Sequence, residues 1–224
     1  MAQPIDLNEI QRRKQLYYYL MVEVKCRLDS VGMVETALYT ALNKLPHFIA
    51  NEYHLLQLRM VFESIALGCM IVHGDIPITT KGKLTTFYQA DILLKALSRA
   101  RPDFFPVPVR VEPIPGQPYP SVTPLPSGVN HLTKEEIIRL YGKFGEYLHR
   151  GKISSFVAKQ DDTAKERAKE IQETLVKCMA LLQPHKVRLH NSQDFLLCSL
   201  HPKVDVQFFI PSASPSWAPD QNQP

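Results

Sequence analysis

The chain has 224 residues, 45% of them hydrophobic and 21% charged, as in a soluble globular protein with one substantial core. The formal charge of +4 is compatible with a nucleic-acid partner but does not by itself identify one. No uninterrupted apolar run reaches the roughly 18 residues of a membrane-spanning helix, and residues 1–15 lack the apolar core of a signal peptide. We therefore expect a cytoplasmic protein without a membrane-embedded part.

The N-terminal region carries a helical pattern. Asp6 and Glu9 form a capping-box pair, which predicts a helix that begins there and continues to about Leu28. An i, i+4 stripe marks its expected buried face: Leu16, Leu20, Val24 and Leu28. The polar residues and glycine at positions 29–32 predict a break, followed by a second amphipathic helix over about 33–45.

Basic and aromatic residues adjoin in the first helix. Arg12, Arg13 and Lys14 are followed by three tyrosines at 17–19. Aromatic rings beside cations suit stacking on nucleic-acid bases. The alternative is a charged outer face with aromatic residues packed inward, and the sequence leaves both interpretations open.

The most apolar helix is predicted over residues 48–73, and it should lie at the centre of a bundle. Its apolar residues recur at helical spacing: Leu55, Leu58, Phe62, Ile65, Cys69 and Val72. Arg59 and Glu63 are four residues apart, so they can pair on one face and are candidate binding residues. A turn at 74–77 and a helix over about 84–100 follow.

Residues 102–126 contain nine prolines, which predict neither a helix nor a central strand. The valines and phenylalanines between 104 and 111 indicate a packed segment. We therefore expect 102–112 to be an extended strap on the bundle and 113–131 to be a loop.

The helix predicted over Thr133–Gly151 is the best defined. Thr133 and Glu136 form a capping box, and Gly151 is placed to close the helix. The expected buried face is Ile137, Leu140, Tyr141, Phe144 and Leu148.

The remainder predicts another helix over 162–183 and three short strands over 186–190, 194–200 and 204–210. The expected fold class is mainly α, a helical bundle of five to six helices with a small C-terminal antiparallel β-meander. In this division, 1–183 is the bundle with its proline-rich segment at 102–131, 184–211 is the meander packed on it, and 212–224 is a disordered tail.

No phosphate-binding loop, zinc-ligand spacing or nucleophile elbow is present, so no cofactor and no metal are expected. The four cysteines are far apart and form no CxxC pair, which favours buried reduced thiols over a metal site or a disulfide frame: Cys26, Cys69, Cys178 and Cys198.

His149 is the candidate for catalysis. It lies near the end of the 133–151 helix, where the helix dipole favours an imidazolium, with Glu146 and Lys143 upstream. A histidine beside a cation can cleave RNA without metal, because the imidazole moves the 2′-hydroxyl proton and the cation stabilises the phosphorane. The alternative is a histidine that only binds carbonyls at the helix end. Arg139 and Arg150 on the same helix are candidate binding residues.

Three segments together resemble bacterial helical proteins of the HEPN type (higher eukaryotes and prokaryotes nucleotide-binding). The segments are LQLRMVFESIALG, PDFFPVPV and LTKEEIIRLYGKFGEYLHRG, and the resemblance covers about residues 8–183. It implies an all-α bundle, a homodimer and an R-x(4–6)-H motif on a late helix. The matching histidine is His149, and the cation at the right spacing is Lys143 where the family has arginine; Arg139 lies too far upstream. Lysine lacks the planar fork that binds a phosphate through two hydrogen bonds.

The resemblance implies an accessory or effector protein of a defence or toxin–antitoxin module that contacts RNA or a protein from the same operon. If it is an enzyme, we expect a metal-independent endoribonuclease, with His149 as general base or acid, Lys143 on the phosphate and Glu146 orienting the histidine. The alternative is a non-catalytic interaction module that uses the 133–151 helix as a dimer or partner surface. A small-molecule pocket between the 48–73 and 133–151 helices is a third possibility without a motif behind it.

Overall fold

The structure, a computed structural model of the chain, describes residues 7–40, 47–73, 89–116, 120–149, 162–189 and 194–209. The helices in these ranges are α1 (Leu7–Thr40), α2 (His47–Val72), α3 (Ala90–Ala100), α4 (Lys134–Leu148) and α5 (Asp162–Leu182). The strands are β1 (Val107–Glu112), β2 (Ser121–Pro124), β3 (His185–Arg188), β4 (Phe195–Ser199) and β5 (Asp205–Phe209). The predicted class, mainly helical with a C-terminal antiparallel meander, is confirmed. The predicted turn at 74–77, Arg150, Gly151 and the predicted tail at 212–224 lie outside the described residues.

α1 is one continuous helix, so the predicted break after Leu28 is wrong. The polar residues there find partners without leaving the helix. The Ser30 hydroxyl donates to the carbonyl of Arg27, one turn back, and it accepts from the Tyr53 hydroxyl of α2 at 2.9 Å. Asp29 pairs with Lys25 at 2.8 Å on the same helix. Serine and aspartate often end a helix, but in α1 their side chains bind to the same helix or to the neighbouring α2.

The buried stripe of α1 overlaps the predicted one only in part, since Val24 and Leu28 are buried whereas Leu16 and Leu20 are not. Leu16 is 38% exposed, whereas Tyr17 is 1% exposed. Successive i, i+4 steps drift around a helix, so a stripe of leucines does not have to coincide with the face that packs. The buried face of α1 consists of Ile10, Arg13, Tyr17, Met21, Val24, Leu28 and Val31.

α2 is the central helix, and all six residues of its predicted stripe are buried. Its segment Ile49–Val72 is long and apolar enough to cross a membrane. An 18-residue window within that segment has a mean hydropathy of 1.7, but 56% of the window is buried inside the protein. A core helix of a bundle passes the same test of length and composition, and α2 packs against α1, α3, α4 and α5.

The sheet has five strands in the order β2-β1-β3-β4-β5, all antiparallel. The last three form the predicted meander. The prediction that the proline-rich segment forms no central strand is wrong, because β1 lies between β2 and β3. Pro108 takes part through its carbonyl, which accepts from the Leu125 amide, and the next residue, Val109, donates its amide to the carbonyl of Pro184 at 2.9 Å. A proline inside a strand is tolerated where only its carbonyl is needed.

A buried polar pair joins the first helix to the sheet. The Nδ1 atom of His185 lies 2.9 Å from the carbonyl of Leu182, which can only accept, so Nδ1 carries the proton. Nε2 therefore accepts from the Tyr17 hydroxyl at 2.7 Å. Burial lowers the pKa of His185 to about 4, which keeps the ring neutral.

The helices and the sheet share one core. Alternate sheet residues, such as Val187, Leu196 and Cys198, join the same cluster of buried side chains as α1, α2 and α4. The meander is thus packed on the bundle, and the helix α4 that carries the candidate site is fixed between α2, α3 and α5.

Candidate functional site

The start of α4 is held by its own side chains. Thr133 Oγ1 accepts from the amide of Glu136 at 3.2 Å, and a carboxylate oxygen of Glu136 accepts from the amide of Thr133 at 3.0 Å. The predicted capping box is confirmed. The other carboxylate oxygen of Glu136 binds Lys177 of α5 at 2.5 Å, so the cap also anchors α4 to α5.

Four of the five residues predicted for the buried face of α4 are buried, Ile137, Leu140, Tyr141 and Phe144, and the fifth, Leu148, is half-buried. The helix ends at Leu148 with His149 as its C-cap, and the predicted cap residue Gly151 lies outside the described residues. His149 follows in an extended conformation and its amide donates to the carbonyl of Gly145 at 3.1 Å.

On one side, α4 contacts α2 through a polar cluster. The guanidinium of Arg59 donates to the carbonyl of Tyr141 and lies 3.9 Å from the centre of the tyrosine ring. The Tyr141 hydroxyl donates to Glu63 at 2.7 Å. Burial, followed by the Glu63 carboxylate, raises the pKa of Tyr141 to about 12. This α2–α4 cluster (Arg59, Glu63 and Tyr141) uses both predicted binding residues of α2 for an internal contact.

Gly145 gives Arg59 the room that this cluster needs. A Cβ atom at position 145 would lie 2.5 Å from Nη1 of Arg59, much closer than such atoms approach in proteins. By contrast, a Cβ at Gly142 would meet no atom within 4 Å. The two glycines of α4 therefore face different surroundings, and only Gly145 is needed for packing.

On its other side, α4 contacts α5 through an ion pair. Nζ of Lys143 lies 2.6 Å from a carboxylate oxygen of Glu170, and this hydrogen bond is the main cause of the raised pKa of Lys143. Arg139 lies 3.9 Å from the same carboxylate oxygen. The ring of Tyr147 is flanked by two cations, with Arg167 at 4.8 Å and Lys143 at 5.5 Å from its centre.

These residues border an open groove of about 440 Å³, which we call the α4–α5 groove. Its lining is Lys143, Tyr147, Glu166, Arg167, Lys169, Glu170 and Glu173. Three cations are thus balanced by three carboxylates. A groove with this balance does not present the positive potential that attracts a phosphate backbone.

The two remaining catalytic candidates are exposed. Within the described ranges, neither the His149 ring nor the Glu146 carboxylate forms a hydrogen bond or ion pair with another side chain. Lys143 lines the α4–α5 groove and is held there by Glu170, whereas His149 lies beyond the last helical residue and is not part of the groove lining. The candidate residues of α2 and α4 therefore do not come together in one site: Arg59 and Glu63 contact Tyr141 from α2, and Lys143 contacts Glu170 of α5.

No pattern in the sequence marks Glu170, Tyr147 or Arg167 as parts of the site. Glu170 lies 27 residues from Lys143, and nothing local marks it as the partner of that lysine. Only the packing of α5 beside α4 brings the two together.

The basic and aromatic residues of α1 are largely used inside the protein. Arg13 is 6% exposed and donates to the carbonyl of Val72 at the end of α2, where a cation suits the helix dipole. Tyr17 is buried against His185. For these two residues the inward-packed interpretation is correct, whereas Tyr19 is 61% exposed.

A second depression, of about 360 Å³, lies on the sheet. Its lining is Val111, Pro120, Pro184, Leu197, Ser199, Asp205 and Gln207. In the ranges that the structure describes, no three histidine, cysteine or acidic side chains are grouped so as to hold a metal ion.

The chain matches no protein-family model, no curated protein and no solved structure. The resemblance to HEPN proteins therefore stays a hypothesis that rests on the three quoted segments, and function has to be argued from the site itself.

Proposed function

We propose that the protein is a non-catalytic helical interaction module, which binds other proteins through the outer faces of its helices. The observation that carries this proposal is the 2.6 Å ion pair between Lys143 and Glu170. The lysine needed on a phosphate already has a carboxylate partner, and the histidine needed for proton transfer does not line the groove that contains this lysine.

Binding of RNA at this position is disfavoured electrostatically. A phosphate that approaches Lys143 must displace Glu170 and also approach the other two carboxylates of the α4–α5 groove, Glu166 and Glu173. Like charges at such distances repel, and the groove contributes no net positive charge to offset this. Lys143 therefore supports the cohesion of α4 and α5 better than it supports catalysis.

A protein partner fits the same groove better. Tyrosine and arginine are enriched in protein interfaces, and here Tyr147 lies beneath the guanidinium of Arg167 at a half-buried position. Interspersed positive and negative side chains allow complementary pairing with a partner of defined charge pattern. In this proposal, Arg139, Glu146 and His149 lie at the rim of the contact surface.

An RNA assay tests the proposal. The purified protein and its His149→Ala and Lys143→Ala variants are incubated with labelled single-stranded RNA in EDTA, and binding is titrated at two salt concentrations. We expect no cleavage by any of the three proteins and no salt-dependent binding. Cleavage by the wild type that is lost in His149→Ala overturns the proposal and assigns the histidine a catalytic role.

The second candidate is the HEPN-like metal-independent ribonuclease, and one observation favours it: the imidazole of His149 is exposed at the end of α4 and accessible to a substrate. For a ribonuclease, the cation that acts with His149 then has to come from outside α4, because Lys143 of α4 is paired with Glu170. The same assay decides between the two functions.

A further inference from the structure

The outer face of α1 carries exposed apolar residues in a regular line. Tyr19 is 61% exposed, Met33 is 72% exposed and Cys26 is also exposed. Each lies seven residues from the next, two turns along the same side of the helix. Val22 lies half-buried between Tyr19 and Cys26. We call Tyr19, Val22, Cys26 and Met33 the α1 seam.

The seam lies opposite the core side of α1. Tyr17, Val24 and Leu28 are buried against α2 and the sheet, on the other side of the helix from Cys26. An apolar line with heptad spacing is the pattern by which one helix packs along another, and within the described residues Tyr19, Cys26 and Met33 of this line remain exposed.

We propose that the α1 seam binds the same seam of a second copy of this chain, with the two helices antiparallel and the two-fold axis near Cys26. This inference rests on the proposed function, for which it names the partner. Cys26 is the midpoint between Tyr19 and Met33. Antiparallel pairing about that residue therefore places Tyr19 against the partner's Met33 twice, and sulfur next to an aromatic ring is a favourable contact.

The charges beside the seam suit the same arrangement. Glu23 pairs with Arg27 at 2.6 Å on one flank, and Lys25 pairs with Asp29 at 2.8 Å on the other. About a two-fold axis at position 26, each flank meets the same flank of the partner. Along the helix axis, Glu23 and the partner's Arg27 are then offset by only two residues, about 3 Å of helix rise. The same holds for Lys25 and the partner's Asp29.

A parallel arrangement lacks the contact between tyrosine and methionine. It places each seam residue beside its own copy, so Tyr19 meets the partner's Tyr19 and Met33 meets the partner's Met33. The sulfur–ring contact forms only in the antiparallel pair, and it therefore favours that orientation.

Oligomeric state is tested first with charge substitutions. We expect the wild type to be a dimer in analytical ultracentrifugation. The Tyr19→Lys/Met33→Lys variant should dimerise at least about tenfold more weakly, because it forces cations into an apolar contact. Val176→Lys on α5, at an exposed apolar position away from the seam, is the matched control and should stay dimeric. Circular dichroism checks that all three remain folded, which is expected because the substituted side chains are exposed.

Orientation is tested with a short bis-maleimide. The reagent should link the wild type through Cys26 and fail to link Cys26→Ser, since the other cysteines, Cys69, Cys178 and Cys198, are buried. In the Cys26→Ser background, a mixture of Tyr19→Cys and Met33→Cys proteins should give predominantly mixed dimers between positions 19 and 33.

Three results overturn the inference: a monomeric wild type, a dimer that the double lysine variant leaves unchanged, or linkage of position 19 to position 19. A monomer that also fails to bind or cleave RNA leaves the interaction module standing with a different partner, whereas cleavage dependent on His149 removes the proposed function whatever the oligomeric state.

Discussion

The two long sides of α4 make opposite use of polar residues. Towards α2, Tyr141 is buried beside the stacked rings of Phe62 and Phe144, whose centres are 6.0 Å apart, and it bonds to the half-buried Arg59 and Glu63. Towards α5, Lys143 and Glu170 border open water. A hydrogen bond shielded from solvent contributes to stability more than an ion pair that water and salt can screen. The α2 side should therefore hold α4 in place, while the α5 side stays available to a partner.

The largest difference between the sides should appear on removal of an aromatic ring. Phe144→Ala leaves a cavity against Phe62 and should lower the free energy of unfolding by about 3–5 kcal/mol. Tyr147→Ala, three residues on and facing the groove, should cost about 1 kcal/mol or less. Urea denaturation measures both. Equal losses would mean that the α5 side is packed as a core and would break the comparison.

The same contrast separates the two histidines, of which His185 is enclosed and His149 is exposed. Burial lowers the pKa of His185 to about 4, against about 6.5 in the unfolded chain. The contribution of the neutral His185 ring to the free energy of unfolding is therefore fully present above pH 6.5. It is lost as the pH falls towards 4, because the unfolded state takes up the proton first. The loss should reach up to about 3 kcal/mol.

Denaturation curves at pH 7 and pH 4.5 measure this loss. His149→Ala is the control and should retain the acid sensitivity of the wild type, whereas His185→Gln should reduce it. An unchanged pH dependence in His185→Gln would contradict the assignment of a neutral buried ring.

A smaller effect, with opposite signs, is expected from the two glycines of α4. Gly145→Ala forces the guanidinium of Arg59 away from Tyr141 and loses a hydrogen bond from a charged group, which is about 1.5–3 kcal/mol. Alanine regains about 0.5–1 kcal/mol as the better helix former, so the net cost should be about 1–2 kcal/mol. Gly142→Ala meets open space and should stabilise the helix by about 0.5–1 kcal/mol, since alanine is the better helix former. Thermal unfolding of the two variants gives the comparison directly, and stabilisation by both would show that Arg59 is not confined.

The smallest effect is expected for the ion pair at the groove. The Lys143 side chain is 38% exposed, so the double-mutant cycle with Glu170 should yield a coupling of about 1 kcal/mol or less, which decreases in 1 M salt. A cycle between Tyr141 and Glu63 should be insensitive to salt. A strong, salt-independent coupling at Lys143 would mean that the groove is closed to solvent.

Patterns contained within one element were read correctly from the sequence. The stripe of α2 and the capping box of Thr133 and Glu136 depend on residues a few positions apart, and both are present. The continuity of α1 was missed because Ser30 is satisfied partly by Tyr53 of another helix. β1 was missed because local proline content opposes a strand, while Pro184 supplies the distant acceptor for its next amide.

The candidate site shows the same limit. The residue types on α4 were identified correctly, but their directions were not, because Tyr141 belongs with Glu63, 78 residues away, and Lys143 belongs with Glu170 on α5. A helix presents side chains all around its axis, and only the neighbouring elements decide which of them can act together.

The hydrogen bond between Tyr17 and His185 has a consequence for biosynthesis, because it spans 168 residues. During vectorial synthesis, the first helix leaves the ribosome long before the strand that completes its packing exists. Contacts between residues so far apart in the sequence slow folding, and until they form, apolar surface of the nascent chain stays exposed. Chains truncated before β3 should therefore depend on chaperones and be degraded rapidly, and the two ends of this polypeptide should fold together or not at all.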